Sequence, residues 1–135
     1  MKPSFFGSLW NRVLGDRGER AAAAYLRKRG MRIIVRNYKG AGGEIDLIAR
    51  DGDTLVFIEV KTRQAGTPAE AVTPEKQKRI TRAALAFLKK HDLLNAGVPS
   101  RFDVVAVVWP EADRQPRIEH FPNAFEAVGE GQMFS

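Results

Sequence analysis

Gly43-Glu44-Ile45-Asp46-Leu47-Ile48-Ala49-Arg50-Asp51-Gly52-Asp53-Thr54-Leu55-Val56-Phe57-Ile58-Glu59-Val60-Lys61 is the stretch that decides the fold. Large and β-branched apolar residues flank Asp51-Gly52-Asp53, the pattern of two strands around a tight turn. Asp-Gly between apolar runs marks a hairpin, because the favoured two-residue turns need positive φ at their centre. Side chains alternate across a strand, so Ile45, Leu47 and Ala49 are expected on one face and Glu44, Asp46 and Ile48 on the other. On the second strand Val56, Ile58 and Val60 alternate with Leu55, Phe57, Glu59 and Lys61. An even loop, either Asp51-Gly52 or the four residues to Thr54, then puts Glu44, Asp46, Glu59 and Lys61 on one face, away from the turn. Opposed Cβ atoms lie roughly 5 Å apart and diagonal ones roughly 7–8 Å. That is close enough for Asp46 and Glu59 to hold one divalent cation.

Alternating charge on a strand commonly means a solvated face with a cross-strand ion pair. This face, however, also carries Ile48, Leu55 and Phe57, so most of it is expected to be covered. Three carboxylates at one end of a covered strand pair repel one another unless a cation or the Lys61 ammonium compensates them.

Outward from the hairpin, the 135 residues suffice for one domain with one core: residues 1–10 a loosely held N-terminus, 129–135 a frayed tail. The absence of cysteine excludes disulfides, thiolate metal sites and a cysteine nucleophile. No signal-peptide or membrane-spanning run is present, and the chain is read as cytoplasmic. Charge is segmented. Residues 1–43 carry ten Lys/Arg against two acids and residues 61–92 eight against three, whereas residues 44–60 carry one base against five acids. Acids between basic flanks are the layout expected where phosphates meet basic side chains and a metal meets carboxylates.

A helix is expected from about Leu14 to Arg29, opened by Gly15-Asp16-Arg17 and closed by Gly30. Glu19 shares its face with Ala22, Ala23 and Leu26, and an inward acid needs a partner. Residues 31–38 read as a strand, and Lys39-Gly40-Ala41-Gly42-Gly43 as a turn. Residues 62–72 read as a loop leaving the acidic site. Thr73 caps a second helix running from Pro74 to about His91, with Ile80, Ala84, Phe87 and Leu88 as its apolar stripe, Gln77 extending it, and Lys76, Lys78, Arg79 and Arg82 crowding its first turns. Arg101–Trp109 is a near-continuous apolar run, expected as a central strand covered on both faces. Residues 117–121 read as an edge strand, and Asn123-Ala124-Phe125 as a short helical turn. His91 and His120 lack metal-site spacing.

This helix–strand–strand–strand–helix–strand order, with Glu-x-Asp and Glu-x-Lys on adjacent strands, suits phosphodiester hydrolysis. Asp46 and Glu59, with Glu44 or Glu19, would bind Mg²⁺ (or Mn²⁺) through hard oxygens, and Lys61 would orient water or stabilise the transition state. Gly43–Ile48 followed by Val56–Arg63 resembles the PD-(D/E)xK nuclease superfamily, and more narrowly the YraN family of predicted endonucleases, which is related to Holliday junction resolvases. The likeness extends to Gly15–Glu19 with Ala22, Arg36-Asn37-Tyr38, Lys76-Gln77 and Arg101–Val105. It implies a restriction-endonuclease-like αβββαβ core, a mixed sheet flanked by helices. It further implies Asp46, Glu59 and Lys61 as the catalytic trio, Glu19 as an auxiliary ligand and Gln77 facing the site. Ile45 stands where the superfamily name has proline, and Thr81 where exonuclease relatives carry tyrosine. Arg36, Arg63, Lys76, Gln77 and Arg79 are the candidate nucleic-acid contacts, with DNA favoured over RNA as partner and a homodimer expected if symmetric strands are cut. The alternative is a nucleic-acid-binding module with this fold and little or no catalysis.

Overall fold

The computed structural model describes residues 5–63, 72–110 and 115–128, with backbone alone for residues 5–14. The element order is α1 (Phe5–Lys28), β1 (Arg32–Gly40), β2 (Gly43–Asp51), β3 (Thr54–Arg63), α2 (Pro74–Lys90), β4 (Ser100–Val108) and β5 (Arg117–Phe125). The five strands form one mixed sheet in sequence order. All neighbours are antiparallel except β3 and β4, which α2 joins as a crossover. The fold is mixed α/β.

Two-residue turns explain the β1–β2–β3 meander. Gly40 pairs with Gly43 around Ala41-Gly42, both at positive φ (52° and 76°). Asp51 pairs with Thr54, so Gly52-Asp53 forms the second turn, and only Gly52 is at positive φ (60°). Glycine at the first central position suits the turn whose twist matches that of the flanking strands. The loop is even, as expected, but centred one residue later than Asp51-Gly52.

Each face of the sheet carries one helix. Ile80, Ala83, Ala84, Phe87 and Leu88 of α2 pack with Ile45, Ile48, Leu55, Phe57, Phe102 and Val104. Phe57 is fully buried, its ring 6.1 Å from Phe87 and 5.6 Å from Phe102. Burying one such side chain contributes about 1.5–3 kcal/mol. On the other face Ala22, Ala23 and Leu26 of α1 pack with Leu47, Ala49, Val56, Ile58, Val105 and Val107. β4 thus sends Phe102 and Val104 to one helix and Val105 and Val107 to the other, as a doubly covered strand should.

Four sequence expectations shift. α1 starts at Phe5 rather than Leu14, so the backbone from residue 5 is helical rather than loosely held. Pro3 precedes it, and a glycine within a helix, such as Gly7 or Gly15, costs only about 1 kcal/mol. The tail from Gly129 falls outside the described residues. β3 runs to Arg63 because Thr62 and Arg63 pair with Val107 and Val108, so the loop expected from Thr62 begins later and its residues 64–71 are not described. β5 continues to Phe125 with no helical turn at 123–125. An edge strand tolerates Pro122, Asn123 takes positive φ (53°), and Phe125 stacks on Phe102 at 4.9 Å. Finally, Ile45 packs on the α2 side with Ile48, whereas Leu47 and Ala49 pack on the α1 side. The expected alternation slips at Asp46. Among the described residues no helix is long and apolar enough to cross a membrane.

Candidate functional site

The slip at Asp46 builds the site. Main-chain pairing of β2 with β3 runs from Asp51↔Thr54 back to Leu47↔Ile58 and stops there. The next step of this register would set Asp46 opposite Glu59. Instead Asp46 Oδ2 accepts the Val60 N–H at 2.7 Å, so a side-chain carboxylate serves the β3 backbone where strand pairing ends. The proximity of Asp46 and Glu59 expected from hairpin parity is therefore present. Burial pushes the Asp46 carboxyl up to about 8, and the negative charges of Glu59 and Glu19 add to this against the Val60 hydrogen bond and the Lys76 ammonium. An aspartate that keeps its proton to such a pH lacks enough positive charge around it.

Glu59 is buried, at 5% exposure. Its carboxylate meets Lys76 Nζ from the first turn of α2 at 2.7 Å. Sequence alternation gave this compensating role to Lys61. Lys61 is half-exposed on β3 beside Ala106, and its side chain makes no hydrogen bond or ion pair among the described residues. Thr73 fixes where Lys76 starts: its hydroxyl accepts the Lys76 N–H at 3.2 Å as the N-cap, with Pro74 following. α2 comes close to the sheet because Gly43 lies against the Arg79 carbonyl, where a Cβ would collide with backbone.

Glu19 reaches the same region from α1. Gly18 makes this approach possible, since a Cβ there would run into the Thr62 hydroxyl. Burial raises the Glu19 carboxyl; a hydrogen bond with Asn37 and the Arg36 charge oppose this, while Asp16 and Glu44 reinforce it. Its Oε1 is buried with no hydrogen-bond partner among the described residues, which is uncommon for a buried carboxylate. Glu44 is exposed opposite Lys39, and its charge acts on Glu19. The four acids singled out in the sequence thus occupy one neighbourhood. As arranged, no three acid or histidine side chains among the described residues form a group that could hold a metal ion.

The candidate nucleic-acid residues divide. Arg36 is exposed near Glu19, and Arg79 is exposed and paired with Glu75 at 3.2 Å. Lys78, Arg79 and Arg82 line a groove of about 510 Å³ with Pro74 and Glu75. Arg63 is half-exposed at the end of β3. Lys76 is spent on Glu59. Gln77 gives its amide N–H to the Val72 carbonyl at 2.8 Å and so ties down the segment entering α2.

A second buried acid escaped the sequence reading. Asp103 of β4 is fully buried. It accepts from Arg101 Nε at 3.0 Å and from the Asn123 N–H at 2.8 Å, and it lies 2.8 Å from His120 Nε2. Arg101 also reaches Asp51 at 3.0 Å. Burial alone would raise the Asp103 carboxyl, but the bonds from His120, Arg101 and Asn123 outweigh it and hold it below its ordinary range. Arg101-x-Asp103 at strand spacing, with a histidine on the next strand, was the available signal.

Comparison with known proteins places this architecture. The sequence profile described as "Uncharacterised protein family UPF0102" matches residues 18–107, from the glycine before Glu19 into β4. A UPF0102 protein of Geobacter sulfurreducens is 54% identical over 123 residues, spanning 89% of this chain and 94% of its own length. A UPF0102 protein of Rhodopirellula baltica is 50% identical over 131 residues, 92% of this chain and 77% of its own. One from Rhodococcus opacus is 50% identical over 118 residues, 85% of this chain and 98% of its own. With these matches over most of its length, the chain belongs to the UPF0102 family.

Proposed function

We propose that this protein is a divalent-metal-dependent DNA endonuclease of PD-(D/E)xK type, with a resolvase-like arrangement of the α/β core and a role in processing branched DNA. The observation that carries the reading is the under-compensated acid neighbourhood. Asp46 is held protonated to about pH 8 by its own burial and by Glu59, and a buried Glu19 oxygen has no partner among the described residues. Carboxylate oxygens in need of positive charge fit a hard cation, with Asp46 and Glu59 as ligands and Glu19 or Glu44 as auxiliaries. Mg²⁺ or Mn²⁺ held there would acidify a bound water and neutralise charge at a phosphate. Asp46 would remain anchored to the Val60 N–H by one oxygen while the other faces the ion. Lys61, free of other partners among the described residues, would orient the attacking water or stabilise charge on the phosphate. The basic first turns of α2, with Arg36 and Arg63, would carry the DNA backbone. Symmetric cleavage of a junction would require a two-fold dimer.

A binding module with little catalysis is the second reading. It is favoured by the Lys76–Glu59 pair, which leaves one acid already neutralised, and by the lack of a ready three-ligand group among the described residues. The deciding experiment is cleavage of labelled four-way junction, flap, single-stranded and duplex DNA in Mg²⁺ or Mn²⁺, beside Asp46→Ala and Lys61→Ala. The nuclease reading expects nicking by wild type, lost in both variants while binding in Ca²⁺ persists. Binding without cleavage on every substrate would establish the module instead.

A further inference from the structure

Glu59 and Lys76 differ in how firmly they are held. Glu59 lies in β3, its side chain 6% exposed, paired with Val104 of β4 one residue beyond the end of the β2 pairing. Lys76 projects from the first turn of α2 with 46% of its side chain exposed, so only its ammonium enters the site. A flexible four-carbon stem at the rim can withdraw without disturbing the core, whereas the Glu59 carboxylate is enclosed. No other described cation forms an ion pair with Glu59. Removing positive charge from a buried carboxylate is strongly unfavourable unless another cation replaces it.

We infer that Lys76 is a displaceable ammonium: it neutralises Glu59 in the metal-free protein and yields that carboxylate when a divalent cation enters beside Asp46. This rests on the metal-dependent reading above and adds a regulatory step to the same site. Cation binding is then coupled to release of a lysine from the same helix turns that carry Lys78, Arg79 and Arg82, where a freed ammonium would add to the positive charge offered to DNA phosphate. Metal and DNA would therefore reinforce each other's binding, because the cation supplies the phosphate ligand.

The test is calorimetric titration of the full chain with Ca²⁺ and Mn²⁺, paired with thermal melts. Lys76→Met should tighten cation binding about tenfold, a typical size for coupling between sites. Lys76→Arg should bind like wild type, since it restores the competitor. Without cation the Met variant should melt lower than wild type, and saturating Ca²⁺ should abolish the difference. Unchanged or weaker cation binding in Lys76→Met would overturn the inference, as would equal tightening by Lys61→Met. A melting deficit that persists in Ca²⁺ would overturn it too, by making Lys76 a fixed structural partner. If wild type, Lys76→Met and Glu59→Gln all fail to bind either ion, the metal-dependent reading falls and this inference with it.

Discussion

Asp103 on β4 sits beside Ile58 in the parallel register, one step from Glu59, and takes hydrogen bonds from Arg101 and Asn123, with His120 at the same distance as Asn123. Asp46 on β2 takes one, from Val60, and confronts the charge of Glu59. Burial works against the ionised form in both. Around Asp103 the donors outweigh it and the carboxyl is held low; around Asp46 they do not, and it is held at about 8. The sheet, then, contains one acid whose needs are met within the chain and one whose needs are not. The first ties β4 to β5 and the hairpin tip, and the second is left with an electrostatic demand that a ligand can satisfy.

The contrast can be broken most forcefully at Asp103. Asp103→Ala leaves His120 and the Asn123 N–H without this acceptor and Arg101 with Asp51 alone, and should lower stability by about 3–5 kcal/mol in urea unfolding. Asp46→Asn should act in the opposite sense, because the amide oxygen still accepts from Val60 and the unfavourable charge is gone. The sign follows from linkage. A folded-state value near 8, against an ordinary 3.8, means the folded chain binds the proton more tightly, so wild-type stability falls as pH rises between those values. The asparagine variant lacks this decline and should exceed wild type by about 2 kcal/mol or more at pH 8.5, with little advantage at pH 4. The Asp103 contribution runs the other way: it is present at neutral pH and fades only as pH drops below the ordinary carboxylate range. Thermal melts from pH 3 to 9 would separate the two, and identical pH profiles for wild type and Asp46→Asn would end the comparison.

Smaller effects sharpen it. Thr73→Ala removes the N-cap that fixes the turn carrying Lys76 and should cost about 1 kcal/mol by chemical denaturation. Arg79→Ala breaks only an exposed pair with Glu75 and should change stability by less than about 0.5 kcal/mol. Its measurable consequence should be weaker, less salt-dependent DNA binding.

Much of this molecule was legible from residue order. Turn glycines with apolar flanks gave the meander, Thr73-Pro74 gave the start of α2, and the unbroken apolar run to Trp109 gave a strand covered on both faces. These are local signals, and local geometry decided them. The proximity of Asp46 and Glu59 followed from strand parity alone. What parity could not supply was the slip at Asp46, which turns Ile45 towards α2 while the carboxylate reaches the Val60 N–H. Nor could it tell Lys76 from Lys61. Lys61 is near Glu59 by spacing along one strand, whereas Lys76 reaches Glu59 only because α2 docks closely against Gly43. The Asp103 network likewise joins β2, β4 and β5 through side chains distant in sequence, each unremarkable where it stands.

The two tight turns of the meander have a consequence for the order of assembly. Asp46 and Glu59 belong to adjacent strands closed by a two-residue turn, so their contact needs little loop closure. The parallel partner β4 joins β3 only after the whole crossover is in place, a contact of much longer range. We expect pulse-labelling hydrogen exchange to find the amides of β1–β3 protected before those of β4. Synthesis from the N-terminus would reinforce the same sequence of events. The acid pair is thus made early, before the parallel strand that completes the sheet beyond it.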